Sequence, residues 1–177
     1  QPLFDGAQAR LVLGRAHRVV GGDVARGAEL QRLEERVVER ARLLIAHAEQ
    51  IRVSRALVIL AAEDDAEIER AATVLRAWPE CRLAVGVHPH HAKVFASNPE
   101  GAAQKVAERL DALREARAVG EIGLDYHYDF SPKDGQHAVF RAQIRLALGR
   151  DLPIVIHTRE AEDDTLRLIT EEGADRL

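Results

Sequence analysis

Short apolar runs alternate with longer amphipathic stretches over most of the chain. Four runs of five or six mostly apolar residues are typical of strands covered on both faces, and they occupy positions 56–60, 82–87, 118–123 and 153–157. Each run precedes a stretch whose apolar residues recur at helical spacing, and these predicted helices cover about 64–77, 98–114, 131–148 and 161–172. The pattern therefore predicts four consecutive βα units.

This alternation predicts an α/β fold in which the strands pair in parallel through right-handed helical crossovers. Two architectures fit, a doubly covered open sheet and a barrel of the triosephosphate isomerase type, and periodicity does not separate them. Four strands would form half of an eight-stranded barrel.

The first 52 residues follow a different pattern. Positions 1–28 carry scattered glycines without a sustained period, whereas 29–50 show apolar residues at helical spacing among many Arg and Glu. The sequence predicts an atypical N-terminal segment over 1–52, with a helix at about 29–50, followed by a βα domain over 53–177.

Polar residues collect where the predicted strands end. The second strand runs into His88, Pro89, His90 and His91, and the third contains Glu121 and is followed by Asp125. The fourth ends at His157, close to Arg159. Because the carboxyl ends of parallel strands meet at one rim, and function gathers there in such folds, these side chains are predicted to lie close together.

Glu121 and His157 are the candidate metal ligands. A carboxylate inside an apolar strand is costly unless it is paired or bound to a cation, and a neutral imidazole is a good ligand for Zn²⁺. A salt bridge to Arg would explain Glu121, and a structural hydrogen bond would explain His157. Their position at matching ends of adjacent strands favours a divalent metal, with Mg²⁺, Mn²⁺ and Zn²⁺ all open.

His88 and His90 are predicted to contact an anionic substrate, because Pro89 fixes an extended turn in which neighbouring histidines need not converge on a metal. The alternative for this loop, and above all for His91, is a solvated histidine-rich turn. Arg159 offers a planar fork to a phosphate, or else forms a surface ion pair with Glu160 or Glu162.

Charge, apolar runs and cysteine content limit the binding partners that the sequence predicts. With a net charge of −4, the chain has no global positive field for nucleic acid or anionic membranes, so any nucleic-acid contact must be local. No apolar run approaches the ~20 residues of a membrane helix, and the start lacks the pattern of a signal peptide. One cysteine excludes an internal disulfide, and we expect a cytoplasmic protein without a membrane partner.

Three segments, 85–90, 118–126 and 153–159, resemble motifs of the TatD family, and Gln136, Phe140 and Gln143 match the family's intervening helix. The family consists of metal-dependent hydrolases on amidohydrolase-type barrels, with deoxyribonuclease activity. The resemblance implies that Glu121 bridges metals and that His157 binds one ion. It also implies that His88, His90, Asp125 and Arg159 face a DNA or nucleotide phosphodiester.

The sequence departs from the family pattern at both ends. The family's early His-x-His pair has no counterpart, since His17 and His47 are the only histidines before His88, and the later His and Asp ligands are not matched. We therefore expect a partial barrel, incomplete at both ends, with impaired activity. A non-catalytic remnant and an amidohydrolase acting on C–N bonds are the alternatives.

Overall fold

The computed structural model describes residues 55–174 and a few helical positions nearer the N-terminus, namely 35, 36, 39, 42, 43, 46 and 47. These positions fall inside the predicted helix at about 29–50. The rest of the predicted N-terminal segment lies outside the described residues, so its boundary at residue 52 stays a prediction.

The four predicted βα units are present in the described part of the chain. They comprise β1 (Leu57–Ala61), α1 (Asp65–Ala77), β2 (Arg82–Gly86), a 3₁₀ helix (Pro89–Phe95), α2 (Pro99–Ala112), β3 (Ala116–Asp125), α3 (Lys133–Arg150), β4 (Ile154–Arg159) and α4 (Glu162–Glu171). All neighbouring strands pair in parallel, in the order β1-β2-β3-β4. The predicted parallel βα fold is thus confirmed. No helix in this part of the chain is long and apolar enough to cross a membrane.

Side-chain caps begin two of the helices. The carboxylate of Asp64 accepts hydrogen bonds from the backbone N–H groups of Ala66 and Glu67, at 2.9 and 3.1 Å. Asn98 accepts one from Gly101 at 3.2 Å, and Pro99 occupies the first helical position, where its missing N–H costs nothing. These caps fix where α1 and α2 start relative to the strands before them.

Strands β3 and β4 are longer than predicted. Their pairing continues to Asp125 opposite Arg159, and the N–H of Tyr126 donates to the carbonyl of Arg159 at 2.9 Å. Asp125 and Arg159, predicted to lie just beyond the two strands, are therefore their last residues. The extension arises from pairing between distant segments, which the local apolar pattern does not encode.

The core lies between the sheet and the helices, and α3 joins two strand ends to it through buried glutamines. Gln143 accepts from the N–H of Val87 at 2.7 Å and donates to its carbonyl at 3.1 Å. Gln136 does the same at Asp125, at 2.8 and 3.0 Å. Each glutamine satisfies a strand-end peptide group that would otherwise be buried without a partner.

One bulge and one close backbone approach between β3 and β4 shape the rim. Gly120 pairs with Val155 and Ile122 with Ile156, so Glu121 is an extra residue in the ladder. Such bulges re-aim a side chain. At Gly123, where φ is +143°, a Cβ would lie 2.0 Å from the carbonyl oxygen of His157, so only glycine permits this approach.

Candidate active site

A cavity of about 390 Å³ opens at the carboxyl ends of the strands. Its walls come from the ends of all four strands and from the segments after them. All six residues predicted for the site line this cavity: His88, His90, Glu121, Asp125, His157 and Arg159. The fold therefore brings the predicted set into one pocket.

Three histidines form the centre of the pocket. One ring nitrogen from each of His88, His90 and His157 lies within 4.8 Å of the other two, and Nε2 of His88 is 3.2 Å from Nδ1 of His157. The ring of His88 contacts those of His90 and His157 edge-on, with centroids 4.3 and 4.4 Å apart. This geometry can hold a metal ion.

His88 and His90, which need not have converged on either side of Pro89, do lie together in the structure. The segment forms a 3₁₀ helix, and Nδ1 of His88 accepts the N–H of His90 at 3.2 Å as its cap. This tight turn aims both rings at His157. His91 instead contacts the carboxylate of Glu63.

Two carboxylates complete the cluster. Oε1 of Glu121 lies 3.3 Å from Nδ1 of His157, and Oε2 lies 3.9 Å from Nε2 of His88. Oδ2 of Asp125 lies 2.8 Å from Nε2 of His90 and 2.9 Å from Nε2 of His157. We call His88, His90, Glu121, Asp125 and His157 the pocket cluster.

Asp125 is an ionised, buried carboxylate. Its side chain is 1% exposed, and burial alone would raise its pKa. Hydrogen bonds from the backbone of Tyr128 and from His90 and His157 outweigh that cost and hold the pKa of Asp125 well below its usual range. Its negative charge is therefore present at neutral pH.

His157 responds to the same carboxylates in the opposite sense. Burial would lower its pKa, but hydrogen bonds to Glu121 and Asp125 outweigh burial and raise it. The position therefore favours positive charge. A divalent cation satisfies the same electrostatic demand, and its binding to an imidazole releases the proton.

The donor set fits a divalent metal. Imidazole nitrogens and carboxylate oxygens are the ligands that Zn²⁺ takes in hydrolytic sites, where about three protein ligands leave a position open. Mg²⁺ and Mn²⁺ favour the carboxylates. Nothing in the set selects one of these ions.

Aromatic residues beside the pocket were missed by sequence reasoning. Tyr128 lines the cavity, and the guanidinium of Arg159 lies 4.8 Å from its ring centroid. An ion pair between Arg159 and Glu160 was the predicted alternative. In the structure, Oε1 of Glu160 instead lies 2.7 Å from Nδ1 of His127. The available signal was two aromatics, Tyr128 and Phe130, directly after a strand in a chain with 4% aromatic content.

Parallel βα units with imidazoles and carboxylates at the carboxyl ends of the strands define an α/β protein with a candidate metal-dependent hydrolytic site. Comparison with known proteins gives the family. The model of the TatD-related DNase family matches residues 27–177, which is well over half of the chain. The chain belongs to the TatD family.

Individual relatives match part of the chain. Over 70 residues the chain is 50% identical to an uncharacterized metal-dependent hydrolase of Bacillus subtilis, covering 40% of this chain and 28% of that protein. Over 83 residues it is 39% identical to the 3'-5' ssDNA/RNA exonuclease TatD of a Pantoea species, covering 47% and 30%. Over 89 residues it is 42% identical to a 3'-5' RNA nuclease of Homo sapiens, covering 49% and 11%.

Each of these matches spans less than a third of the relative's own length. A solved structure extends the comparison of the fold. The crystal structure of a TatD family hydrolase from Entamoeba histolytica superposes with a TM-score of 0.60 and 22% identity, covering 81% of this chain and 47% of that one. The sheet is thus part of a TIM-type barrel fold, as predicted.

Proposed function

We propose that the protein is a metal-dependent phosphodiesterase that cleaves nucleic acid at the pocket cluster. The convergence of His88, His90, Glu121, Asp125 and His157 in one cavity carries the proposal. The relatives named as ssDNA/RNA and RNA nucleases support a phosphodiester substrate over the alternative of a C–N bond.

Glu121 and His157 are the proposed metal ligands, as the strand-end pattern predicted. Their closest atoms are 3.3 Å apart, and both side chains are only slightly exposed, at 14% and 13%. A divalent ion held there supplies Lewis acidity toward a phosphodiester and lowers the pKa of a water nucleophile. The metal's identity is not fixed by these two residues.

Asp125 is the proposed positioning residue for the histidines. Its Oδ2 contacts His90 and His157 together, while Oδ1 accepts the N–H groups of His127 and Tyr128, each at 3.1 Å. A carboxylate behind an imidazole fixes its orientation and raises its basicity. These bonds favour orientation of the rings over the substrate contact predicted for Asp125.

His88, His90 and Arg159 are the proposed phosphate contacts. All three line the cavity beside Glu121 and His157, and the side chain of His90 is 26% exposed. An imidazole N–H and a guanidinium fork each donate to phosphate oxygens. These local donors attract an anionic substrate, which the net charge of −4 does not do.

Substitution of Glu121 tests the proposal. We expect Glu121→Gln to lower Mg²⁺-, Mn²⁺- or Zn²⁺-dependent cleavage of a single-stranded oligonucleotide by roughly 100-fold or more, because loss of outer-shell partners alone costs 10–100-fold. Glu100→Gln is the matched control, since this exposed glutamate lies on α2 and faces Arg145 at 3.8 Å. Undiminished cleavage by Glu121→Gln would refute the assignment.

Metal binding separates the enzyme from a non-catalytic remnant. Isothermal titration should give metal binding to the wild-type protein and weaker binding to Glu121→Gln. Absence of binding to the wild type at high micromolar Zn²⁺ and Mn²⁺ would favour the remnant, in which unmatched ligands have removed the activity.

A further inference from the structure

Two exposed aromatic side chains lie on the loop between β3 and α3. Tyr128 is 40% exposed and Phe130 is 48% exposed. Among the large hydrophobic residues that are exposed in the described part of the chain, these two alone are aromatic. Burying such rings contributes strongly to stability, so their exposure beside a polar cavity calls for a functional reason.

The two rings form one surface. They are stacked with centroids 5.2 Å apart and planes inclined by 22°. The ring of His90 meets both edge-on, at 4.7 Å from Phe130 and 5.5 Å from Tyr128. We call Tyr128 and Phe130 the aromatic platform.

Hydrogen bonds fix the loop that carries the platform. The N–H of Tyr128 donates to Asp125 at 3.1 Å. On the other side of Phe130, the hydroxyl of Ser131 donates to the carbonyl of His90 at 2.9 Å and accepts the N–H of Lys93 at 3.0 Å. The platform is therefore held in place relative to the pocket before any ligand arrives, which limits the entropy lost on binding.

The platform adjoins the proposed phosphate contacts. Tyr128 lines the same cavity as His88 and His90, and the guanidinium of Arg159 lies 4.8 Å from the Tyr128 ring centroid. A phosphate held by Arg159 or His90 therefore has an aromatic surface directly beside it. A nucleotide presents the same pairing, because its phosphate and its planar base are joined through one sugar.

We propose that Tyr128 and Phe130 are a base-stacking subsite that selects a single-stranded nucleic acid strand, with an unpaired base on the platform while a neighbouring phosphate enters the pocket. The proposal rests on the proposed function and names the residues that would hold a base of the strand. Every base has a π-face, so stacking tolerates any sequence, whereas bases within a duplex are already stacked and paired. Arg159 adds a cation–π contribution.

Binding to oligonucleotides with and without bases tests the platform. The full chain is titrated in EDTA, which prevents metal-dependent cleavage, with a fluorescent single strand and with the same strand carrying abasic terminal nucleotides. We expect the wild type to bind the base-bearing strand roughly 5- to 150-fold more tightly, which is the range of stacking on one aromatic platform. The variant with both Tyr128→Ala and Phe130→Ala should bind the two strands alike.

Matched control variants distinguish loss of base stacking from loss of the fold. Leu166→Ala removes an exposed apolar side chain on α4 and should leave the base preference unchanged, since Leu166 is 65% exposed and outside the pocket. Tyr128→Phe keeps a stacking face and should retain the preference. A fold lost in the double alanine variant shifts the test to Tyr128→Leu with Phe130→Leu, which keep apolar bulk without a π-face.

Several outcomes would overturn the platform. Wild-type protein that binds both strands equally, or neither, has no base subsite. If a blunt duplex binds as tightly as the single strand, the platform does not select single strands. Loss of self-association instead of base preference in the double variant would identify a contact between copies of the chain. Because EDTA removes cleavage from the measurement, the preference is measured even in a protein without nuclease activity, and Glu121→Gln should keep it.

Discussion

Asp125 and Tyr126 are consecutive residues at the end of β3, yet they serve two different groups of side chains. Asp125 faces the pocket cluster, whereas the hydroxyl of Tyr126 donates to Asp164 at 2.6 Å and hydrogen-bonds to His137. Tyr126 directly follows β3 and still pairs with β4 through its N–H and the carbonyl of Arg159, and successive side chains of such extended backbone point to opposite sides. We call Tyr126, His137 and Asp164 the helix cluster, because α3 and α4 supply its other members.

The two clusters share chemistry but not organisation. In the helix cluster, burial and the hydrogen bond to Asp164 raise the pKa of Tyr126, while Tyr126 and Arg167 lower the pKa of Asp164. The groups thus satisfy one another. In the pocket cluster, three histidine rings and Glu121 surround a cavity. Titratable residues at one strand end therefore identify a site only where their side chains line a space that a ligand can enter.

The largest difference is expected for a carboxylate-to-amide change in each cluster. Asp125→Asn should lower the affinity for Zn²⁺ or Mn²⁺ by roughly 10–100-fold, as loss of an outer-shell partner does. The physical reason is that Asp125 uses two oxygens for two backbone N–H groups and two imidazoles, whereas an amide offers one oxygen. Isothermal titration measures the change.

Asp164→Asn is the matched substitution in the helix cluster, where the carboxylate accepts from Tyr126 and Arg167. It should leave metal affinity unchanged. An equal loss of affinity in both variants, or none in Asp125→Asn, would contradict the division into a ligand-facing and a supporting cluster.

A smaller effect, on stability alone, is expected for Tyr126→Phe. Removing the hydroxyl deletes the bond to Asp164 and should lower the free energy of unfolding by about 0.5–1.5 kcal/mol, the usual net value of one hydrogen bond. Urea denaturation measures it. Tyr128→Phe is the control. The side chain of Tyr128 is more exposed, so loss of its hydroxyl should lower the free energy of unfolding by less. A Tyr126→Phe variant with normal stability and lost cleavage would place Tyr126 in the active site.

The sequence predicted the number, order and approximate position of the strands well, because short apolar runs are typical of strands covered on both faces. Glu121 stood out for the same reason, since a carboxylate interrupts an otherwise apolar strand. That the six predicted residues share one cavity then follows from adjacency of the strands in the sheet.

Features that depend on distant contacts could not be predicted. The extra residue at Glu121 depends on the register with β4, and the strand position of Asp125 depends on pairing with Arg159. The platform was equally hidden, since apolar periodicity does not say whether Phe130 is buried or exposed. The local apolar pattern predicts the helices and strands. The direction of each side chain depends on pairing between segments that are far apart in the chain.

The smallest expected effect is a pH dependence within the helix cluster. Burial lowers the pKa of His137 and outweighs the attraction of Asp164. The unfolded chain then binds this proton more readily, so the contribution of neutral His137 is complete above the unfolded pKa and declines as the pH falls through it. The stability of wild type relative to His137→Gln should therefore decrease between about pH 7.5 and pH 5, around the unperturbed histidine pKa of about 6.5. Urea denaturation at several pH values measures the difference, and groups that the two proteins share cancel in it. A difference that instead grows on acidification would mean that the attraction of Asp164 prevails over burial at His137.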